Sequence, residues 1–254
     1  MAHAWMPEAR RIRAGTDGGP LIGGAPRAVW LTLGTVPGAV SVQSAAQRLI
    51  AERRPCHLIW DPLTGEIAQL ISVLRAGRAL GAADHLDWAP ARVRTQRENV
   101  NAEGRVCVQI GVLGHPAEPF TGLPLVGLDA IVNWLDSWGV TRRWPAGRPE
   151  AYRGSNGRAG RRNRAQWARG GHFGASQVPG CDNAGPGAID IDRITEFAGM
   201  PGGTGVAAIS SGVVGVPGAV AVPGVSGVPA RHGLAARTRE LPAALAEAAL
   251  AIPA

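Results

Sequence analysis

The side chains of this sequence that are able to do chemistry concentrate between residues 170 and 190, which read G-G-H-F-G-A-S-Q-V-P-G-C-D-N-A-G-P-G-A-I-D. His172, Cys181 and Asp182 stand there within ten residues of one another. Cys and His are good zinc ligands and Asp a fair one, so the three are candidates for a metal site. The remaining histidines, His3, His57, His85, His115 and His232, are isolated from one another in sequence. His57 opens an apolar run and reads as a hydrogen-bonded structural residue. Cys56, Cys107 and Cys181 are odd in number and lack framework spacing, which argues against a disulfide scaffold. Cys107 reads as a small buried thiol.

A second kind of chemistry is electrostatic. Residues 153–169 are crowded with Arg, with Tyr152 and Trp167 at the edges. Arginine beside aromatic rings holds phosphates and stacks bases. No nucleic-acid-binding motif accompanies the run, however. The chain has no Lys, so all 26 of its basic residues are Arg and an exposed loop naturally fills with them. Nucleic acid is therefore not an expected partner. Of Trp134, Trp138 and Trp144, helical spacing assigns Trp138 to the core and leaves Trp144 as a candidate for lining a sugar groove.

The elements that must position these groups follow from periodicity. Ala28 to Leu33 is a short apolar run of strand type, bounded by Pro26 and Gly34. Ser41 to Arg53 reads as a helix with Val42, Ala45, Ala46, Leu49 and Ile50 on one stripe. His57 to Trp60 and Glu66 to Ile71 read as a hairpin turning at Pro62 to Gly65. Val106 to Val112 places Val106, Val108, Ile110 and Val112 on one face and Cys107, Gln109 and Gly111 on the other. That pattern predicts a core on one side of the sheet and a cleft on the other. Leu125 to Trp138 predicts an amphipathic helix stopped by Gly139, and Ile191 to Ala198 a last short one. Strands and helices mixed in this way indicate an α/β domain.

The 254 residues suffice for one well-buried domain with length to spare. Residues 1–27 read as an irregular N-terminal arm, 28–198 as the domain, 199–233 as a linker-like segment and 234–254 as an Ala-rich, helix-capable end. Val-Pro steps at Val216, Val222 and Val228 give the linker a six-residue pattern of elastin-like, low-complexity character. Residues 197–230 carry no charge, yet their prolines argue against a membrane-spanning helix. The first residues lack the apolar stretch of a secretory signal, so the expectation is a protein that stays cytoplasmic until release. A net charge of +7 favours polyanions, anionic wall polymers among them.

Five blocks, in order, give the chain a family likeness: V-W-L-T-L-G at Val29 to Gly34, H-L-I-W-D-P-L-T-G-E-I at His57 to Ile67, G-R-V-C-V-Q-I at Gly104 to Ile110, G-L-D-A-I-V-N-W-L-D-S-W-G-V at Gly127 to Val140, and the run from Gly170 to Asp190. Together they resemble the type 2 zinc N-acetylmuramoyl-L-alanine amidases, relatives of the peptidoglycan recognition proteins, and are most similar to endolysins of actinobacterial phages. The likeness covers about three-quarters of the chain, from Trp5 to Ile194. It implies an amidase/peptidoglycan-recognition-like central mixed sheet flanked by helices, followed by the Gly/Pro/Val tail. It also implies peptidoglycan or cell-wall fragments as partner, with the bond between N-acetylmuramic acid and L-alanine as the substrate of active members.

Active members hold zinc, which lowers the pKa of a bound water and polarises the amide carbonyl while a carboxylate takes the proton. Carried over by resemblance, the ligand positions fall on Leu31, Ala175 and Gly185, the base on Gly111 and an auxiliary group on Asn183. None of these side chains can do the family's work. The expectation is thus a catalytically inactive, muropeptide-binding protein of phage or actinobacterial type that acts at the cell wall and needs no cofactor. Its groove candidates are Trp144, Gln109, Thr32 and Ser176. Two alternatives stand beside it: an active amidase with zinc displaced onto His172, Cys181 and Asp182, and a polyanion-binding or structural protein on the same scaffold.

Overall fold

The computed structural model describes residues 1–81, 99–153, 163–181 and 183–196. One six-stranded sheet is built from β1 (Arg10–Arg11), β2 (Arg27–Thr32), β3 (Leu58–Trp60), β4 (Ile67–Gln69), β5 (Cys107–Val112) and β6 (Gly171–Gly174), in the order β1-β4-β3-β5-β2-β6. The four strands β3, β5, β2 and β6 run parallel. β4 is antiparallel to β3, and β1 is parallel to β4. The helices are α1 (Val42–Ala51), α2 (Leu128–Ser137), α3 (Arg164–Ala168) and α4 (Ile191–Thr195). The architecture is α/β, a mixed sheet with helices against both faces.

Two cores follow from strand alternation. On one face Ala28 and Trp30 of β2 and Val108, Ile110 and Val112 of β5 meet Leu128, Ile131, Val132 and Leu135 of α2. Trp30, Trp60 and Phe120 interlock there with ring centroids 5.9–6.2 Å apart, and burying a ring such as Phe120 contributes about 1.5–3 kcal/mol. On the other face Val29 and Leu31 of β2 meet Val42, Ala45, Ala46 and Leu49 of α1. Ser41 caps α1 by accepting a hydrogen bond from the Ser44 amide at 3.1 Å, which satisfies one of the free first-turn donors.

The expected hairpin forms, with Leu58 opposite Gln69 and Trp60 opposite Ile67. Asp61 organises its turn: its carboxylate accepts from the Leu63 amide at 2.9 Å and from the Thr64 hydroxyl at 3.0 Å.

Four expectations need correction. The polar face of β5 is no cleft: Cys107, Gln109 and Gly111 lie under the second core, and a sheet buried on both faces is the usual state of parallel strands. The arm is not irregular throughout, since β1 adds an edge strand and Ile12 and Ala14 continue its pairing onto Gln69 and Leu70. The second amphipathic helix begins at Leu128 rather than Leu125 because Leu125 and Gly127 both take positive φ, turning the chain first. The Arg-rich loop ends in α3, capped by Asn163 and anchored by the buried Trp167.

The segment 199–233, the end 234–254, the loop residues 154–162 and His85 lie outside the described residues. Among the described residues no helix is long and apolar enough to cross a membrane.

Candidate functional site at the carboxyl ends of the parallel strands

The positions singled out by the sequence blocks meet at the carboxyl ends of β2, β5 and β6. Leu31 is directly opposite Gly111 in the β2–β5 register. Trp30 pairs with Gly174, so that Ala175 follows at the end of β6. Leu31 and Ala175 share the apolar face that α1 covers. A Cβ on Gly111 would come within 3.1 Å of both the Cys56 sulfur and a Leu33 methyl. Gly185 crosses the end of the sheet: a Cβ there would lie 2.5 Å from Thr32 Oγ1, and its carbonyl accepts from the Ser176 amide at 2.8 Å. Asn183 accepts from the Gly185 amide at 2.8 Å, fixing this turn.

Zinc does not fit this arrangement. Leu31, Ala175 and Gly185 present no ligating atom, and Leu33 and Cys56 already fill the space beside Gly111. Cys56 is a poor substitute ligand because only the thiolate binds metal, and burial pushes its thiol up to about 12. Among the described residues no three His, Cys, Asp or Glu side chains cluster as a metal site would require.

What the end of the sheet does offer is hydroxyl chemistry. Thr32 Oγ1 and Thr35 Oγ1 are buried and have no hydrogen-bond partner among the described residues. Both follow from the turn that ends β2, where the Leu33 and Thr35 amides donate to the Val112 and Gly114 carbonyls. Ser176 lies beside them through its backbone bond to Gly185. Thr35 was missed in the sequence; its signal was the T-L-G-T spacing that sets two hydroxyls three residues apart.

The other groove candidates, Gln109 and Trp144, make packing and hydrogen-bond contacts of their own. Gln109 is fully buried and holds the 76–81 loop onto the sheet: its Oε1 accepts from the Ala79 amide at 3.0 Å and its Nε2 donates to Asn101 at 2.9 Å. It lines no groove, because that loop covers it. Trp144 packs on His172 with ring centroids 5.6 Å apart. His172 pairs with Ala28 of β2 and stacks on Trp30, which places Trp144 against the α2-side core.

The displaced-ligand set is not assembled either. His172 faces Trp30, whose indole N–H donates to its Nδ1 at 3.0 Å, with the rings stacked. Trp30 belongs to the α2-side core and Cys181 to the α1-side core, so the two lie on opposite faces of the sheet. Burial pushes His172 down to about 3, leaving it neutral. Asp182 lies outside the described residues. His57 is structural: its Nδ1 accepts from the Gln109 amide at 3.1 Å and its Nε2 bonds the Arg75 carbonyl at 2.9 Å.

No family model matches the sequence, and no curated protein matches it. Among solved structures the chain is similar to the Staphylococcus aureus hydrolase AmiA in complex with its ligand. The similarity has 9% identity and a TM-score of 0.42, over 71% of this chain and 73% of that one. It is a loose likeness of shape.

Proposed function

We propose that this protein binds peptidoglycan fragments at the carboxyl ends of β2, β5 and β6 and does not cleave them. The observation that supports this reading is the meeting of Leu31, Gly111, Ala175 and Gly185, which are far apart in sequence, at one end of the sheet with apolar or absent side chains. Amide hydrolysis needs a polarised carbonyl and a proton acceptor. Thr32 and Thr35 supply neither; their hydroxyls are buried and unpartnered among the described residues, and they would bond the amides and hydroxyls of a muropeptide that opens the end of the sheet. The loss of catalysis makes the protein a pseudoenzyme on an amidase-like scaffold, of the phage or actinobacterial type to which its blocks are most similar.

The reading is tested by co-sedimentation with purified sacculi, comparing the natural chain with Thr32→Val and Thr35→Val. Saturable binding of the natural chain, weakened about tenfold by the Val changes, supports it, since one lost hydrogen bond in a binding site is worth about 1 kcal/mol or more. Absence of binding to sacculi overturns it. Release of stem peptides that stops on adding a chelator would restore the enzyme reading.

A further inference from the structure

At the opposite end of the sheet, where the N-terminal arm meets the segment after β4, a cavity of about 310 Å³ is lined by Trp5, Arg13, Asp17, Ser72 and Arg75 among others. Its walls are fastened from beneath by fully buried side chains. Gln69 accepts from the Met6 amide at 2.6 Å and donates to the Ala4 and Ile71 carbonyls at 3.0 and 2.8 Å. His57 holds the Arg75 carbonyl at 2.9 Å. The cavity is therefore preformed by two buried polar side chains rather than left by loose packing.

The charges in and around it are unequal. Arg75 is committed to Asp17 through a two-pronged pair at 2.9 and 3.0 Å, and Arg10 to Glu66 at 3.1 Å. Arg11 and Arg13 have no acidic partner among the described residues; their guanidinium carbons sit 5.3 and 5.9 Å from the centre of the half-buried Trp5 ring. An aromatic ring flanked by two unneutralised guanidinium groups suits a ring-shaped ligand with one acidic group. The Asp17 carboxylate and the Ser72 hydroxyl add acceptors and a donor for ligand hydroxyls.

We propose that this cavity is a binding site for an anionic sugar, with the sugar against Trp5 and its phosphate or carboxylate on Arg13, which lines the cavity; Arg11 stands outside the lining and adds positive charge beside Trp5. A nucleic-acid strand fits less well, because tracking a phosphate backbone takes a row of free cations and Arg10 and Arg75 are already neutralised. The site is separate from the proposed muropeptide end and does not depend on it.

The test uses the full chain with glucose 6-phosphate, glucuronate, glucose, inorganic phosphate and a short oligothymidylate, following the Trp5 indole N–H resonance by NMR. The expected result is a saturable shift with glucose 6-phosphate or glucuronate and none with glucose. Arg13→Gln should weaken binding about tenfold or more, as loss of a charge-assisted hydrogen bond does. Arg13→Lys, followed by the same resonance, and Trp5→Phe, followed by calorimetric titration, each with folding checked by thermal melting, should give intermediate losses. No shift with either acidic sugar, or one unchanged by Arg13→Gln, overturns the proposal. Equal affinity for inorganic phosphate would reduce the site to a bare anion site and overturn the sugar assignment, and tighter Trp5-dependent binding of the oligothymidylate would overturn it in favour of nucleic acid.

Discussion

His172 shows how a residue with ligand chemistry becomes structural. Its Nδ1 accepts a hydrogen bond from the Trp30 indole N–H, its ring packs on both Trp30 and Trp144, and its Nε2 is buried with no partner among the described residues. Replacing it with Phe preserves the stacking but strands the Trp30 N–H. His172→Phe should therefore lower stability by about 1–3 kcal/mol, measured by denaturant unfolding, and leave the metal content unchanged. Thr32 behaves in the opposite sense. Its hydroxyl is already buried without a partner, so Thr32→Val should leave the melting temperature unchanged or raise it even as it weakens ligand binding.

His57 and His172 also set a pH dependence. Burial lowers them from the ordinary 6.5 to about 4 and about 3. Below pH 6.5 the unfolded chain takes up protons that the folded chain refuses. Their contribution is thus intact above pH 6.5 and is lost as pH falls from there towards 4 for His57 and towards 3 for His172, at up to about 1.4 kcal/mol per pH unit for each histidine. Unfolding free energies measured across pH 4–7 should show this slope, and His172→Phe should reduce it.

At the scale of elements, the amino ends of β2 and β5 are joined to α3 by charge. Glu103 accepts from Trp167 Nε1 at 2.7 Å and from Arg164 at 2.8 Å, and lies 3.7 Å from Arg27. Arg27 is only 3% exposed and stacks on Trp167 at 4.3 Å. Glu103→Ala leaves that buried cation without its counter-charge and should cost about 3–5 kcal/mol, read by thermal or denaturant unfolding.

The elements that were legible in the sequence are those whose pattern is local. The α1 stripe, the hairpin around Asp61 and the alternation of β5 each follow from periods of 3.6 or 2 within a few residues. What covers a strand is not local. The alternation of β5 gave no sign that the 76–81 loop folds over Gln109, with Gly77 so close that any side chain there would collide with it. β6 hid because G-H-F-G has almost no strand propensity, and tertiary pairing with β2 imposes it. At the candidate site the sequence blocks pointed to Leu31, Gly111, Ala175 and Gly185, which the sheet brings together, but the separation of His172 from Cys181 depends on which face each residue takes in the fold.

For the whole molecule, the net charge of +7 is a property of surface, distributed over a chain whose arginines are in part already paired. Generic attraction to polyanions of that origin is screened by salt over about 10 Å at 0.1 M. Binding through the proposed Thr32 and Thr35 hydroxyls is not. Association with sacculi should therefore survive 0.5 M salt, whereas association with DNA should fall away, and parallel sedimentation at two salt concentrations separates the two.

The most direct measurement is calorimetric titration of the full chain with a soluble N-acetylmuramoyl-peptide, with and without chelator, followed by mass analysis of the recovered ligand. Saturable binding that is indifferent to chelator, with the ligand recovered intact, is the predicted result. Recovery of separated sugar and peptide, abolished by chelator, would contradict it.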